Sequence, residues 1–171
     1  MGYSSTWGAN DDLSIQVGGG IGFLPEQGGR NSFGDSDLTI FNAYASGGYG
    51  AFGFLAEYLE SEVEDGVAAG TDANPWGGLL EATYYATDKL QFVGRYSYTN
   101  SDRRGIKVSD GVRSAPASFT GNNLTEYYLG LNYYVIGNDL KFQVGYVHGW
   151  VEKNGTEEAS DGIRSQIAVN F

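Results

Sequence analysis

Apolar and polar residues alternate with a period of two along eight stretches of the chain. The clearest stretch is 163–171, whose odd-numbered positions are Ile, Ser, Ile, Val and Phe and whose even-numbered positions are Arg, Gln, Ala and Asn. Successive side chains of a β-strand point to opposite faces, so this pattern predicts a strand with one apolar face. The other seven stretches lie near residues 13–23, 38–48, 51–62, 76–87, 89–99, 124–135 and 140–151. In 38–48 we take Asn42 to set the polar face, which places Ile40 and Tyr44 on it.

The connections between these stretches alternate in length. Those around 47–50, 87–89 and 136–139 are short and rich in Gly, Asn and Asp, as tight turns require. The connections 24–37, 63–75, 100–123 and 152–162 are long and contain all three prolines. This alternation predicts an up-and-down antiparallel meander in which the short turns lie at one end and the long loops at the other. We expect one domain over residues 1–171, with 1–11 as an N-terminal extension.

Side-chain size indicates which face of the predicted strands contacts water. The apolar face carries bulky residues such as Leu131, Tyr133, Phe142 and Val144, which would overfill the interior of a small soluble barrel. The polar face is rich in glycine and fits a narrow interior, and the aromatic residues gather toward both ends of the strands, as in interfacial girdles. We therefore predict an all-β, eight-stranded, up-and-down antiparallel transmembrane β-barrel with short periplasmic turns and long external loops. A soluble, lipocalin-like ligand-binding barrel is the alternative.

Six charged residues fall on the predicted inner face, three acidic and three basic. They are Glu57, Glu81, Arg95, Glu126, Lys141 and Arg164. Because an unpaired charge in a closed lumen costs several kcal/mol of desolvation, we expect these six to form a buried ion-pair network that plugs the barrel. The functional alternative is that they line a path for solutes.

Composition excludes several other classes of protein. The 171 residues carry a net charge of −11, with 15% aromatic residues, no Cys and one His. Nucleic-acid binding needs clustered Lys and Arg, so we expect no nucleic-acid partner. Without Cys and with a single His, neither a disulfide framework nor a transition-metal site is expected, and we expect no cofactor. No apolar run is long enough for a transmembrane helix, and residues 1–10 lack a signal-peptide pattern.

Several segments resemble bacterial outer-membrane barrels and, more specifically, phosphate-selective porins of the O and P type. The segments are 54–59, 90–96, 129–134 and 140–143, and the resemblance covers roughly residues 38–171. The last strand, ending in Phe171, resembles the C-terminal signature that the barrel-assembly machinery recognises. The resemblance implies a Gram-negative outer membrane, contact with lipid bilayer and lipopolysaccharide, and passive channels that often form homo-oligomers.

The chain departs from that family in length and in lumen charge. Members have about twice as many strands, and their basic lumen arrays have no counterpart that we can match here, so no phosphate-binding residue is carried over. The chain could be a self-contained small barrel, could pair with itself or another chain to close a wider one, or could be a fragment. Our functional interpretation is a passive channel component in or from a wider barrel. The alternative is a closed barrel with a structural or loop-mediated binding role.

Three remaining signals have simple structural interpretations. Gly48, Gly50 and Gly53 match a dinucleotide-binding spacing, but no helix follows. His148 has no Ser at a recognisable spacing, so we expect no enzyme. The acidic segments 60–72 and 152–161 are expected to be solvated loops, with weak Ca²⁺ or Mg²⁺ binding as the alternative. Loop 100–123 is expected to fold into the barrel mouth or to bind partners.

Overall fold

The computed structural model describes residues 2–10, 13–26, 37–112, 115, 119–136 and 139–169. The strands of the main sheet are long, as a two-residue alternation sustained over a dozen positions favours. In chain order the elements are β1 (Gly2–Asn10), β2 (Leu13–Leu24), β3 (Leu38–Tyr49), β4 (Phe52–Ala68), β5 (Thr71–Ala73), β6 (Trp76–Thr87), β7 (Leu90–Asn100), β8 (Ile106–Lys107), α1 (Val108–Gly111), β9 (Thr120–Gly121), β10 (Asn123–Ile136), β11 (Leu140–Lys153) and β12 (Thr156–Val169).

Nine of these strands form one antiparallel up-and-down sheet in the order β1-β2-β3-β4-β6-β7-β10-β11-β12. The short strand β5 pairs with the end of β4, and β8 pairs with β9 in a separate two-stranded sheet. The predicted all-β, antiparallel, up-and-down architecture is therefore confirmed. Each of the eight predicted strands corresponds to one strand of the main sheet, from β2 to β12.

The number of strands and the closure of the sheet differ from the prediction. The segment expected to be an N-terminal extension contains β1, which pairs with β2 from Gly2 opposite Gly20 to Asn10 opposite Leu13. Residues 3–9 alternate weakly, with Tyr, Ser, Trp and Ala at the odd positions and Ser, Thr and Gly at the even ones, and the prediction did not use this pattern. Within the described residues the sheet has nine strands and is not closed, with β1 and β12 at its two edges.

Two of the four predicted long loops are largely strand. The segment 152–162 is a tight hairpin, because β11 continues to Lys153 and β12 begins at Thr156. Asn154 and Gly155 join them with φ of 53° and 78°, and Asn-Gly is the pair that such a turn favours. Strand β4 likewise runs on to Ala68, into the predicted loop 63–75. The connection between β7 and β10 is long and contains β8, α1 and β9, whereas most of the predicted loop 24–37 lies outside the described residues.

The two faces of the sheet differ as the alternation predicts. Large apolar side chains on one face, here called the outer face, are exposed, including Phe92, Leu129 and Val144. The opposite face, here called the inner face, carries the buried Gln91 and Asn132. In β3 Phe41 is exposed on the outer face, so Tyr44 lies on the inner face, where its hydroxyl accepts a hydrogen bond from Gln16. No helix in the described ranges has the length and hydrophobicity to span a membrane.

Candidate functional site

A cavity of about 1160 Å³ lies against the inner face of the second half of the sheet. Strands β6, β7, β10, β11 and β12 supply its wall, and the helical turn α1 supplies part of its roof. The lining is mainly polar and includes charged residues of both signs. The same five strands carry bulky apolar residues on the outer face, so the alternation along each strand creates the cavity's polarity.

Arg95 and Glu81 form one ion pair on the cavity wall. The Arg95 Nε and Nη2 atoms donate to Glu81 Oε2 at 2.8 and 2.5 Å. The Glu81 side chain is 19% exposed and that of Arg95 is 38% exposed. The guanidinium also lies 5.6 Å from the centroid of the Tyr128 ring, within the range of a cation–π interaction. The pair is therefore held from two sides while it still faces the cavity.

The Tyr128 ring lies against the sheet in space that glycine leaves open. A Cβ atom added at either Gly130 or Gly145 would overlap this ring. The two glycines are directly opposite each other on β10 and β11. Their lack of side chains therefore determines where Tyr128 lies, and Tyr128 in turn supports Arg95.

Arg164 and Glu126 form a second ion pair, which holds the loop between β7 and β10. Arg164 Nη2 donates to Glu126 Oε1 at 3.2 Å and to the carbonyl oxygen of Gly111. Gly111 ends α1, and a Cβ atom there would overlap the Glu126 carboxylate. The described part of the loop over 101–122 is thereby fixed at Gly111 to the inner face of the sheet.

An apolar cluster holds the same loop from its other side. Val108 and Val112 of the loop are fully buried against Leu124, Val147 and Val151 of the sheet. The strand residues belong to the inner face, which is polar farther along the same strands. The sequence predicted that this loop folds inward or binds partners. In its described part the loop packs against the inner face of the sheet.

The six predicted lumen charges do not form one continuous network. Glu81 with Arg95 and Glu126 with Arg164 are separate pairs, and all four side chains retain some solvent exposure. Among the described residues, Glu57 and Lys141 make no ion pair within 4.0 Å. Lys141 Nζ instead lies 5.9 Å from the centroid of the Tyr134 ring. Phe171, the predicted assembly signal, lies outside the described residues.

A row of amides on the cavity wall was given no role in the sequence analysis, although the alternation places Asn132, Gln143 and Gln166 on the polar face. Gln143 Nε2 donates to Asn132 Oδ1 at 2.9 Å, and Asn132 Nδ2 donates to Gln91 Oε1 at 2.8 Å. The Tyr134 hydroxyl also donates to Gln91 Oε1, at 2.8 Å. These residues occupy inner-face positions of three neighbouring strands. The same alternation in β7 would have added Gln91 to this face.

Two polar clusters lie outside the cavity. On the outer face, His148 Nδ1 is 2.8 Å from Asp161 Oδ1, which also accepts a hydrogen bond from the Tyr146 hydroxyl. In the loop after β7, Asp102 Oδ2 accepts the Asn74 backbone N–H at 2.7 Å. This hydrogen bond, assisted by Arg103, holds the pKa of Asp102 below its usual value. Across the described segments, no group of three or more Asp, Glu and His side chains could hold a metal ion.

An up-and-down sheet with an exposed apolar face and a polar, loop-covered cavity on the other face is the arrangement of a porin-like β protein. Consistent with this, the family model described as phosphate-selective porin O and P matches residues 27–171. The chain belongs to this family, as the resemblance of its strand segments indicated. The family is one of channels rather than of enzymes. No curated protein and no solved structure matches the chain in the same comparisons.

Proposed function

We propose that the chain forms part of the wall of a bacterial outer-membrane channel through which small solutes pass passively. The observation that carries the proposal is the pairing of an exposed apolar outer face with a polar cavity on the inner face. In a membrane the outer face would contact acyl chains, and the cavity would be the water-filled side. Lipopolysaccharide at the long-loop end and the assembly machinery acting on Phe171 are the partners that this location implies.

The dimensions of the outer face support a membrane location. Leu90, Tyr133 and Phe142 form one cross-strand row, and Asn100 and Asn123 form another ten residues away along the same strands. Ten residues of strand span about 33 Å, or about 25 Å along the membrane normal at a tilt of ~40°, the height of the apolar band of such barrels. Asn100 Nδ2 donates to Asn123 Oδ1 at 2.8 Å, so the outer face becomes polar at this level.

Aromatic residues flank the apolar band at both ends. At the long-loop end Trp76 contacts Tyr58 and Tyr98, with ring centroids 6.1 and 5.2 Å apart. At the short-turn end the Phe52 and Tyr84 rings are 4.8 Å apart. Aromatic rings favour the two interfaces of a membrane, so these two groups are consistent with interfacial girdles.

The strand count favours a wider barrel over a closed small one. In an up-and-down sheet of nine strands the two edge strands, β1 and β12, run in the same direction. Closure by antiparallel pairing alone would therefore need an odd number of further strands. If two copies associated in the same orientation, β12 of one would pair with β1 of the other in parallel, forming parallel seams. Closure of one copy as an eight-stranded barrel would require β2 to pair with β12, and β1 would have to leave β2. We propose that further copies of the chain, joined through such parallel seams, complete the channel as a homo-oligomer.

In the complete channel the inward loop would narrow the passage. It is held by the Arg164–Glu126 pair and by the apolar cluster around Val112, and it covers the cavity from the long-loop end. Solutes would pass between this loop and the opposite wall.

Conductance across a planar bilayer tests the proposal. The sequence contains no Cys, so one cysteine can be introduced at Gln143 on the inner face or, as a matched control, at its neighbour Val144 on the outer face. We expect stable open-channel steps, and a water-soluble thiol reagent should reduce the current through Q143C and leave V144C unchanged. Silence of all proteins would favour the alternative, a closed barrel with a structural or loop-binding role. A block confined to V144C would contradict the proposal.

A further inference from the structure

Four amide side chains form a row across the cavity wall. Gln91, Asn132, Gln143 and Gln166 are directly opposite one another on β7, β10, β11 and β12. We call these four residues the amide row. All four line the cavity. The row thus crosses the wall at one level, between the ion pairs on one side and Lys141 on the other.

One end of the amide row is fixed, and the other end is open. Gln91 and Asn132 are 8% and 7% exposed, and their amides are held by the hydrogen bonds from Asn132, Gln143 and Tyr134. In the two bonds between amides the amide nitrogen faces the neighbour toward Gln91, so the amide oxygen of Gln143 faces away from it. Among the described residues, Gln143 Oε1 and the whole amide of Gln166 have no hydrogen-bond partner. The open end therefore presents both acceptors and donors to the cavity.

The charges around the amide row are balanced. Each cavity carboxylate already has a partner: Glu81 has Arg95, Glu126 has Arg164, and Asp110 accepts the backbone N–H of Lys107. With Lys141 included, the cavity lining contains three acidic and three basic side chains. No excess of one sign is present to select an ion by Coulomb attraction.

Aromatic rings border the row on its short-turn side. Tyr85 lies opposite Gln91, its ring is 5.8 Å from that of Tyr134, and the two hydroxyls are 3.3 Å apart. Tyr134 also donates to the row through Gln91. Groups that both donate and accept hydrogen bonds match the hydroxyls of a sugar ring, since each hydroxyl also does both. The apolar faces of the tyrosine rings lie next to these groups.

We infer that the open end of the amide row is a binding site for uncharged, hydroxylated solutes of the carbohydrate class. The inference rests on the proposed channel function, because it assigns the solute that the cavity would hold during passage. A site selective for anions would need more cations than carboxylates in its lining, whereas here Lys141, which has no carboxylate partner among the described residues, is balanced in number by Asp110. Gln143 and Gln166 would exchange hydrogen bonds with the solute's hydroxyls, and the fixed Gln91 and Asn132 would hold Gln143 in place.

Side-chain amide resonances test the inference without requiring conduction. The full chain, labelled with ¹⁵N in detergent micelles, is titrated with the neutral disaccharide maltose and, separately, with inorganic phosphate. We expect maltose to shift the Gln143 and Gln166 NH₂ signals in a saturable way and phosphate to leave them unchanged. Q166L, which removes no observed hydrogen bond, should weaken maltose binding about tenfold, as loss of one hydrogen bond does. Q16L, outside the cavity, should have no effect.

The outcomes separate this inference from the channel proposal. Saturable maltose shifts without conductance would support the binding site and contradict the channel. Conductance with no maltose response, with a response to phosphate alone, or with equal binding to Q166L would overturn the inference and leave the channel proposal in place.

Discussion

Removal of the Glu81 carboxylate should destabilise the protein by an amount that reflects its partial exposure. Two nitrogen atoms of Arg95 donate to Glu81 Oε2, at 2.8 and 2.5 Å. A fully buried pair loses about 3–5 kcal/mol when one partner is removed, and an exposed pair loses about 0.2–1 kcal/mol. With side chains 19% and 38% exposed, water can solvate Arg95 once Glu81 is gone. We therefore expect Glu81→Ala to cost about 1–2 kcal/mol of unfolding free energy, between these limits.

Equilibrium unfolding in urea, followed by tryptophan fluorescence in lipid vesicles, measures this loss. Glu57→Ala is the matched control, because Glu57 is an inner-face carboxylate of the neighbouring strand β4 with no ion pair among the described residues. The double mutant with Arg95→Ala gives the coupling energy of the pair. Equal losses for Glu81→Ala and Glu57→Ala, together with a coupling energy near zero, would refute the reasoning.

Three further predictions concern the loop and the glycines. Val112→Ala should lower the unfolding free energy by about 2 kcal/mol, because it removes two buried methyl groups and leaves a cavity. It should also speed proteolysis within 101–122, and unchanged cleavage would contradict the inward packing. Gly145→Ala should lower the melting temperature because the added Cβ displaces the Tyr128 ring. Gly22→Ala should not, because no atom lies within 4 Å of its added Cβ. Equal melting temperatures for the two variants would contradict this prediction. The depressed pKa of Asp102 stabilises the loop above the unfolded pKa of about 3.9, and this contribution is lost as pH falls through the lower folded value. The Asn74 amide resonance should report that titration. If the titration persists in Asp102→Asn, it belongs to another group.

The alternation of side chains predicted the strands well because it reflects burial directly. The prediction missed β1, because the alternation over residues 2–10 is weak and only Tyr3, Trp7 and Ala9 mark an apolar face. It also placed a long loop at 152–162, where the Asn154-Gly155 turn joins two strands directly. Polar residues such as Glu157 and Glu158 suggested a loop there, although the turn dipeptide was visible in the sequence. In that hairpin, turn chemistry was a better guide than polarity.

Pairing of the lumen charges depended on details that alternation does not contain. Glu81 lies opposite Arg95 only because a bulge between Tyr85 and Thr87 shifts the register of β6 and β7 by one residue. Without that shift Glu81 would lie opposite Tyr96, and the two charges would be on different faces. Arg164 reaches Glu126 across β11, a contact between strands that are not direct neighbours. The inner-face position of these four charges was readable from the sequence, and their partners were not.

Accessibility of single labelled sites to lipid-borne and water-borne quenchers tests the central claim most directly. Fluorescent labels at Leu129 and Leu131 on the outer face, and at Lys141 and Gln143 on the inner face, would be measured in vesicles with brominated acyl chains and then with iodide. The account predicts that acyl-chain bromine quenches the labels at Leu129 and Leu131 and that iodide quenches those at Lys141 and Gln143. The reverse pattern would mean that the polar face meets lipid and would contradict the account.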